Sequence, residues 1–237
     1  MKEEFIRISA LVGQENFKRI QNSTVAVFGV GGVGSYAFEA LVRSGVGTIH
    51  IFDSDIVAVS NLNRQIIALG STVGQEKTAV AARRAADITA EVKVVEHDMF
   101  YSPETAHSID LSQFDYIIDA IDTVTCKTEL ICRAKAAGVP IISVMGTANK
   151  LDPTKLCVTD IYKTSGCPLA RVMRGTLRKK GIDSLQVVYS TEEPIIVQPF
   201  GEYRESGRPC PASAVFVPGA AGLIAAAQAV KNILNVK

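Results

Sequence analysis

Val25 to Ser35 reads VAVFGVGGVGS, an uncharged apolar run that ends in Gly29, Gly31, Gly32 and Gly34 and passes into a helical pattern. Glycines so placed turn a buried strand tightly into a helix and let a ligand approach bare backbone. The N–H groups left unpaired at the helix start then face the ligand, and the macrodipole favours negative charge there. That chemistry is phosphate binding, and the turn alone would suit NAD. Asp53 follows Gly34 by about 20 residues, where a Rossmann unit places the carboxylate that binds a ribose hydroxyl. Its charge would repel the extra phosphate of NADP.

A second group of residues carries positive charge. Residues 54 to 74 form a polar connection longer than a plain dinucleotide domain needs, and it holds Asn61, Asn63, Arg64 and Gln65. Lys77 stands in the first turn of a predicted helix, Gln75 to Ile88, where a cation opposes the dipole and predicts an anion in front of it. Asp122 follows the apolar run Tyr116 to Ile121, at the end of a parallel strand where such sheets bind ligands, and can also cap the next helix.

These residues need a scaffold, and the chain supplies an alternating one. Residues 5 to 20 predict two short helices broken at Gly13, with Arg7 as a charge that has no local need. Strands are expected at Val25 to Phe28, Thr48 to Phe52, Val92 to Val95, Tyr116 to Ile121 and Pro140 to Met145. Helices are expected at Ser35 to Ser44, Gln75 to Ile88, Ser102 to Ile109 and Val124 to Ala137. Alternation of this kind is the mark of a doubly wound parallel sheet. Beyond Gly146 the pattern loosens: strands at Lys155 to Ile161, Leu185 to Ser190 and Ala214 to Val217, a helix after Cys167, and a small-residue helix at Gly219 to Leu234. The expected fold is α/β, a Rossmann-like doubly wound, mainly parallel sheet with a C-terminal mixed-strand extension. It is read as one domain over 1–237, with a nucleotide-binding half (5–150), a substrate-facing half (151–237) and a mobile crossing loop near 192–212.

Bulk properties narrow the class. The chain has 237 residues, enough for a sizeable core, and 47% of them are hydrophobic against 21% charged, as in a globular protein. A net charge of +1 argues against coating nucleic acid by charge alone, while leaving a local basic patch open. No signal peptide is visible, which predicts a cytoplasmic protein. The final helix is apolar for too short a stretch before Lys231 to be read as a membrane span. Five cysteines without a CxxC pair speak against a disulfide framework or a paired-cysteine zinc site.

The glycine turn together with Asp53, Asp55, Ser60-Asn61-Leu62-Asn63-Arg64-Gln65, Val73-Gly74-Gln75-Glu76-Lys77 and Asp119-Ala120-Ile121-Asp122 resembles the adenylating superfamily of ubiquitin-type activating enzymes and their bacterial relatives in thiamine and molybdopterin biosynthesis. The resemblance implies an ATP site. Gly29, Gly31, Gly32 and Gly34 would form its phosphate turn, Asp53 with Asp55 would lie on the ribose side, and Asn61, Arg64, Gln65 and Lys77 would surround the triphosphate. Asp122 would bind Mg²⁺, and Thr123 stands where many relatives have Asn. Arg7 resembles an arginine that reaches the partner's ATP across a homodimer. Arg7, Arg64, Lys77 and Asp122 would be the catalytic set. Such chemistry asks for positive charge where a carboxylate attacks the α-phosphate and pyrophosphate leaves. A monovalent cation would belong to the same site.

Thr159 to Gly181, Val187 to Pro194 and Phe216 to Leu223 are similar to the tRNA threonylcarbamoyladenosine dehydratases. That resemblance implies ATP-dependent adenylation of a threonyl carboxylate on a tRNA nucleoside, followed by attack of the carbamoyl oxygen to close a ring. Arg171, Arg174 and Arg178, with Lys179 and Lys180, would form a tRNA-binding stripe on one helical face; a solvated surface is the competing reading. Cys167, just before that helix, invites a thioester, although cyclisation needs no enzyme thiol. The alternative function is adenylation of the C-terminus of a small ubiquitin-like sulfur-carrier protein, with a cysteine desulfurase as a further partner. A nucleotide-sensing module without catalysis is the third.

Overall fold

The computed structural model describes residues 2–198, 201 and 210–236. Seven strands form one sheet: β1 (Thr24–Phe28), β2 (Thr48–Asp53), β3 (Lys93–Asp98), β4 (Tyr116–Asp119), β5 (Ile141–Val144), β6 (Leu156–Asp160) and β7 (Gln186–Ser190). Their order is β3-β2-β1-β4-β5-β7-β6. Every neighbouring pair is parallel except β6 with β7, so the mixed extension is a continuation of the same sheet. The chain runs outward from β1 through β2 to β3, then returns to place β4 on the other side of β1. The switch point lies between β1 and β4, and the crevice at their C-terminal ends is where open parallel sheets take ligands.

Among the described residues seven α-helices accompany the sheet: α1 (Ile6–Val12), α2 (Gln14–Gln21), α3 (Gly34–Arg43), α4 (Lys77–Ile88), α5 (Val124–Ala136), α6 (Pro168–Lys179) and α7 (Phe216–Leu234). Alternation along β1 explains why both faces need cover. Val25 and Val27 join one core with Phe38, Leu41 and Ala225, while Ala26 and Phe28 join the other with Leu130, Ile131 and Met173. Each large apolar side chain buried in this way contributes about 1.5–3 kcal/mol.

The small residues of α7 let it lie close on α3. A Cβ on Gly222 would stand 2.2 Å from the Val33 carbonyl oxygen, and one on Gly219 would touch the Tyr36 ring at 3.4 Å. The helix is long and apolar enough by composition to cross a membrane, and half of that stretch is buried here.

Two expectations change. Ser102 to Ile109 holds one 3₁₀ turn, Ala106–Ser108, because Thr105 Oγ1 accepts from the Ser102 N–H and donates to the Phe100 carbonyl, local bonds that compete with a helix. Ala214 to Val217 is no strand. Ala212 and Ser213 give their carbonyls to the Asn149 N–H and the Asn63 side chain, and α7 begins at Phe216 with Pro218 in its first turn, where a missing N–H costs nothing. The expected crossing loop falls in part on 199–200 and 202–209, outside the described residues.

Candidate functional site

The glycine turn sits at the switch point. Gly29 has φ of +88°, and a Cβ there would lie 2.9 Å from the Ala120 carbonyl oxygen. At Gly34 a Cβ would overlap the Gly29 carbonyl oxygen at 1.7 Å, so this position is closed to any side chain. Gly31 and Gly32 are different. A Cβ on Gly31 would meet only Gln65 Nε2 at 3.9 Å, and one on Gly32 would touch Arg64 Cγ and Pro218 Cβ at 3.5 Å. Gly29 and Gly34 are therefore needed by the fold, whereas Gly31 leaves room above the backbone at the N-terminus of α3.

Asp53 ends β2 and holds this turn. Its Oδ2 accepts the Val30 N–H at 2.6 Å, and its Oδ1 accepts the Asp55 N–H at 2.9 Å. Burial pushes the Asp53 carboxyl above its ordinary value, although Lys77 and the two amides favour its charged form. Lys77 is the first residue of α4, and its Nζ donates to Asp55 Oδ2 at 2.6 Å and lies 3.8 Å from Asp53 Oδ1. Within the chain, the anions in front of this cation are the two carboxylates. Asp55 is 68% exposed and Lys77 only 5%, so the ammonium is held from the solvent side by an exposed carboxylate.

The long connection folds back over the turn. Asn61 Oδ1 accepts the Ala58 N–H at 3.1 Å, which assigns its side chain to its own turn. Arg64 Nη1 donates to the Ser60 carbonyl at 2.6 Å and to Asn63 Oδ1 at 3.1 Å. Gln65 is 5% exposed, and its Oε1 is buried with no hydrogen-bond partner among the described residues. A buried amide so placed beside Gly31 fits a ligand that brings its own donor or ordered water. Asp122 and Thr123 are exposed just beyond β4, with Thr123 Oγ1 3.4 Å from Asp122 Oδ1. The sequence-predicted residues from Gly29 to Thr123 are thus gathered at one crevice. Arg7 lies apart, exposed on α1 beside Ile6 and Leu11, themselves 50% and 84% exposed.

The arginine stripe on α6 proves unequal. Arg174 Nη1 donates to the Thr164 carbonyl at 3.0 Å and also bonds the Thr164 hydroxyl, while Arg178 stacks over the Tyr162 ring at 5.3 Å. Arg171, Lys179 and Lys180 are exposed. Helical spacing places the three arginines on one face but says nothing of these neighbours, which divert two of them. Cys167 is buried, 2% exposed, with Sγ 3.8 Å from where a Cβ on Gly146 would be. It borders a cavity of about 130 Å³ also lined by Gly166, Pro168, Arg171 and Arg174.

Sequence reasoning missed two features. Lys127 and Asp119 form a fully buried ion pair at 2.8 Å behind the Asp122 loop. Lys150 is buried and donates to the carbonyls of Ser190 and Glu192, while the Glu192 carboxylate accepts the N–H groups of Leu151 and Asp152. A buried lysine has no signature in a single sequence; only the acid at the end of an apolar run hinted at the first pair.

The chain is similar to known proteins over nearly its whole length. The ThiF family profile matches residues 5–237. A tRNA threonylcarbamoyladenosine dehydratase of Bacillus subtilis is 43% identical, over 99% of this chain and 96% of the relative. The crystal structure of Escherichia coli tRNA N6-threonylcarbamoyladenosine dehydratase, TcdA, in complex with AMP superposes with a TM-score of 0.90 at 32% identity, covering 98% of this chain and 94% of that one. The same E. coli enzyme in complex with ATP gives a TM-score of 0.86 at 32% identity, with the same coverage. The chain belongs to the ThiF family.

Proposed function

We propose that this protein is an ATP-dependent tRNA threonylcarbamoyladenosine dehydratase, working in the cytoplasm. The observation that carries the reading is the convergence of the glycine turn, the Asp53–Lys77–Asp55 cluster and Asp122 at the β1–β4 switch point, in a chain whose relatives over nearly its whole length bear that name. The triphosphate would lie over Gly31 and Gly32 at the N-terminus of α3, with the ribose toward Asp53. Arg64 and Lys77 would face the phosphates.

Mg²⁺ is commonly held by one or two carboxylates together with substrate phosphates, and the exposed Asp122 after β4 offers such a carboxylate at the crevice. Asp122 would be its protein ligand, and the ion would offset phosphate charge. A monovalent cation belongs to the same proposal.

In the reaction the threonyl carboxylate oxygen attacks the α-phosphorus and the bond to the bridging oxygen breaks, releasing pyrophosphate. The carbamoyl oxygen then attacks the acyl carbon, AMP leaves, and the ureido nitrogen loses its proton as the ring closes. The tRNA nucleoside loses the elements of one water. This chain's residues bring two anions together and offset the charge that builds on the bridging oxygen. Arg171, Arg178, Lys179 and Lys180, all exposed, would meet RNA phosphates, with the half-buried Arg174 held against Thr164. The exposed Arg7, Ile6 and Leu11 support a homodimer in which Arg7 reaches the partner's ATP.

Release of AMP and pyrophosphate from labelled ATP tests the reading. It should require tRNA that carries the threonylcarbamoyl group. Equal turnover with unmodified tRNA would refute it, and stimulation by a small sulfur-carrier protein in place of tRNA would replace it with adenylation of that protein's C-terminus.

A further inference from the structure

Asp119 and Lys127 are both 0% exposed, and their charges meet at 2.8 Å. The carboxylate distributes its bonds over three elements. Oδ2 accepts Lys127 Nζ from α5 and, at 2.6 Å, the Ser143 hydroxyl from β5, while Oδ1 accepts the Ile121 N–H of the following loop at 3.1 Å. An ion pair taken wholly out of water seldom adds net stability over well-packed apolar residues, because desolvating both ions offsets their attraction. Stability is therefore a weak reason for this pair, and its position is the stronger one.

The pair straddles Ala120 to Thr123, the loop that carries Asp122. Asp119 fixes the start of the loop, and Lys127, whose N–H bonds the Thr123 carbonyl at 2.9 Å, fixes its end. The same loop presses on the glycine turn. The Ala120 N–H donates to the Phe28 carbonyl at 2.9 Å, the Ala120 carbonyl oxygen lies 2.9 Å from where a Cβ on Gly29 would stand, and Ala120 Cβ lies 3.3 Å from that of Gly34. Any displacement of this loop would move Asp122 and the phosphate turn relative to each other.

We propose that Asp119, Lys127 and Ser143 form a positioning clamp that sets the separation of Asp122 from the glycine turn, and with it the affinity of the site for a triphosphate. None of the three touches the ligand; they act through Asp122 and the turn. The inference rests on the reading of those two features as the triphosphate site. Misplacement of a binding group by about 1 Å can cost on the order of 100-fold, so a rigid charged clamp behind the loop has a function that an apolar filling would not reproduce.

The test is ATP binding to the purified chain, with and without Mg²⁺. Asp119→Leu/Lys127→Met/Ser143→Ala removes the three polar groups together and leaves no buried charge unpaired. Expected are an unfolding midpoint within about 5 °C of the parent and ATP affinity weaker by about tenfold or more, with most of the Mg²⁺ enhancement lost. A folded variant with the parent's affinity and Mg²⁺ response would overturn the clamp. If the triple variant does not fold, Asp119→Asn/Lys127→Met, which keeps an acceptor for the Ile121 N–H and leaves neither buried charge, is read in the same two ways. Asp122→Ala separates the two claims. If it binds ATP with Mg²⁺ as the parent does, the site reading fails and the clamp with it. If it weakens binding while the triple variant does not, the clamp alone fails.

Discussion

The Val30 N–H donates to Asp53 Oδ2 across 2.6 Å, so the carboxylate at the end of β2 is bonded to the backbone of the phosphate turn after β1. Its other oxygen accepts the Asp55 N–H at 2.9 Å. A carboxylate engaged in this way fixes the turn before any ligand arrives, and its remaining lone pairs can still accept a ribose hydroxyl. On the proposed reading, preorganisation of the turn and recognition of the sugar would fall to the same side chain.

The glycines of the turn should separate folding from binding. Gly34→Ala forces a Cβ onto the Gly29 carbonyl and should destabilise the protein by about 1–3 kcal/mol or more. Gly31→Ala meets only the Gln65 amide at 3.9 Å, so it should leave the unfolding midpoint unchanged while weakening ATP binding. Denaturant unfolding and nucleotide titration of both variants check this. Unaltered ATP affinity in Gly31→Ala would remove the turn from the binding site.

Lys77→Met keeps the aliphatic stem and removes the charge. Asp55 is largely exposed and tolerates the loss, and the buried Asp53 carboxylate keeps its bonds from the Val30 and Asp55 N–H groups, so the variant should fold. Exchange of labelled pyrophosphate into ATP should fall about 100-fold or more if Lys77 faces the phosphates during adenylation. Retained exchange would limit Lys77 to its contacts with Asp55 and Asp53.

Acid should destabilise the edge of the sheet. His50 Nδ1 and His97 Nε2 lie 2.9 Å apart, and burial, with the charges of His97 and Lys93 adding to it, pushes the His50 imidazole down from 6.5 to about 4. Burial lowers His97 as well. The unfolded chain takes up these protons first, so stability is fully present above the unfolded value of 6.5 and is lost as the pH falls toward about 4. Urea midpoints of the parent should drop across that window, and those of His50→Phe should drop less. A flat parent profile would contradict the assignment.

The arginines of α6 should divide into two classes. Arg171→Ala should weaken tRNA binding and reduce its salt dependence by about one counterion, with the fold unchanged. Arg174→Ala leaves the Thr164 carbonyl and hydroxyl without their donor and should lower the unfolding midpoint. Filter binding over a salt series and thermal unfolding distinguish them; equal salt slopes for Arg171→Ala and the parent would take Arg171 out of the RNA surface.

The parallel sheet was legible because β1, β4 and β5 are buried on both faces and β2 is apolar at Ile49, Ile51 and Phe52, so that each appears as an apolar run closed by Gly or Asp. The glycine turn and the placing of Asp53 against it were legible because both depend on spacing along the chain. Lys127 and Ser143 were not, because a buried polar residue is explained only by a partner that the fold brings to it. The start of α7 was misjudged since Ala214 to Val217 has strand composition, and only the bonds from Asn63 and Asn149 to the preceding carbonyls show that its neighbour is a loop. Arg174 and Arg178 follow the same rule: periodicity gives the face of a helix, while Thr164 and Tyr162 decide what the face is free to do.

Nucleoside mass spectrometry tests the central claim most directly. Purified protein, ATP and Mg²⁺ are incubated with tRNA carrying threonylcarbamoyladenosine, and the digested nucleosides are weighed. The account predicts that the modified nucleoside loses the mass of one water, with one AMP released per nucleoside converted. AMP release without any change in nucleoside mass would contradict it.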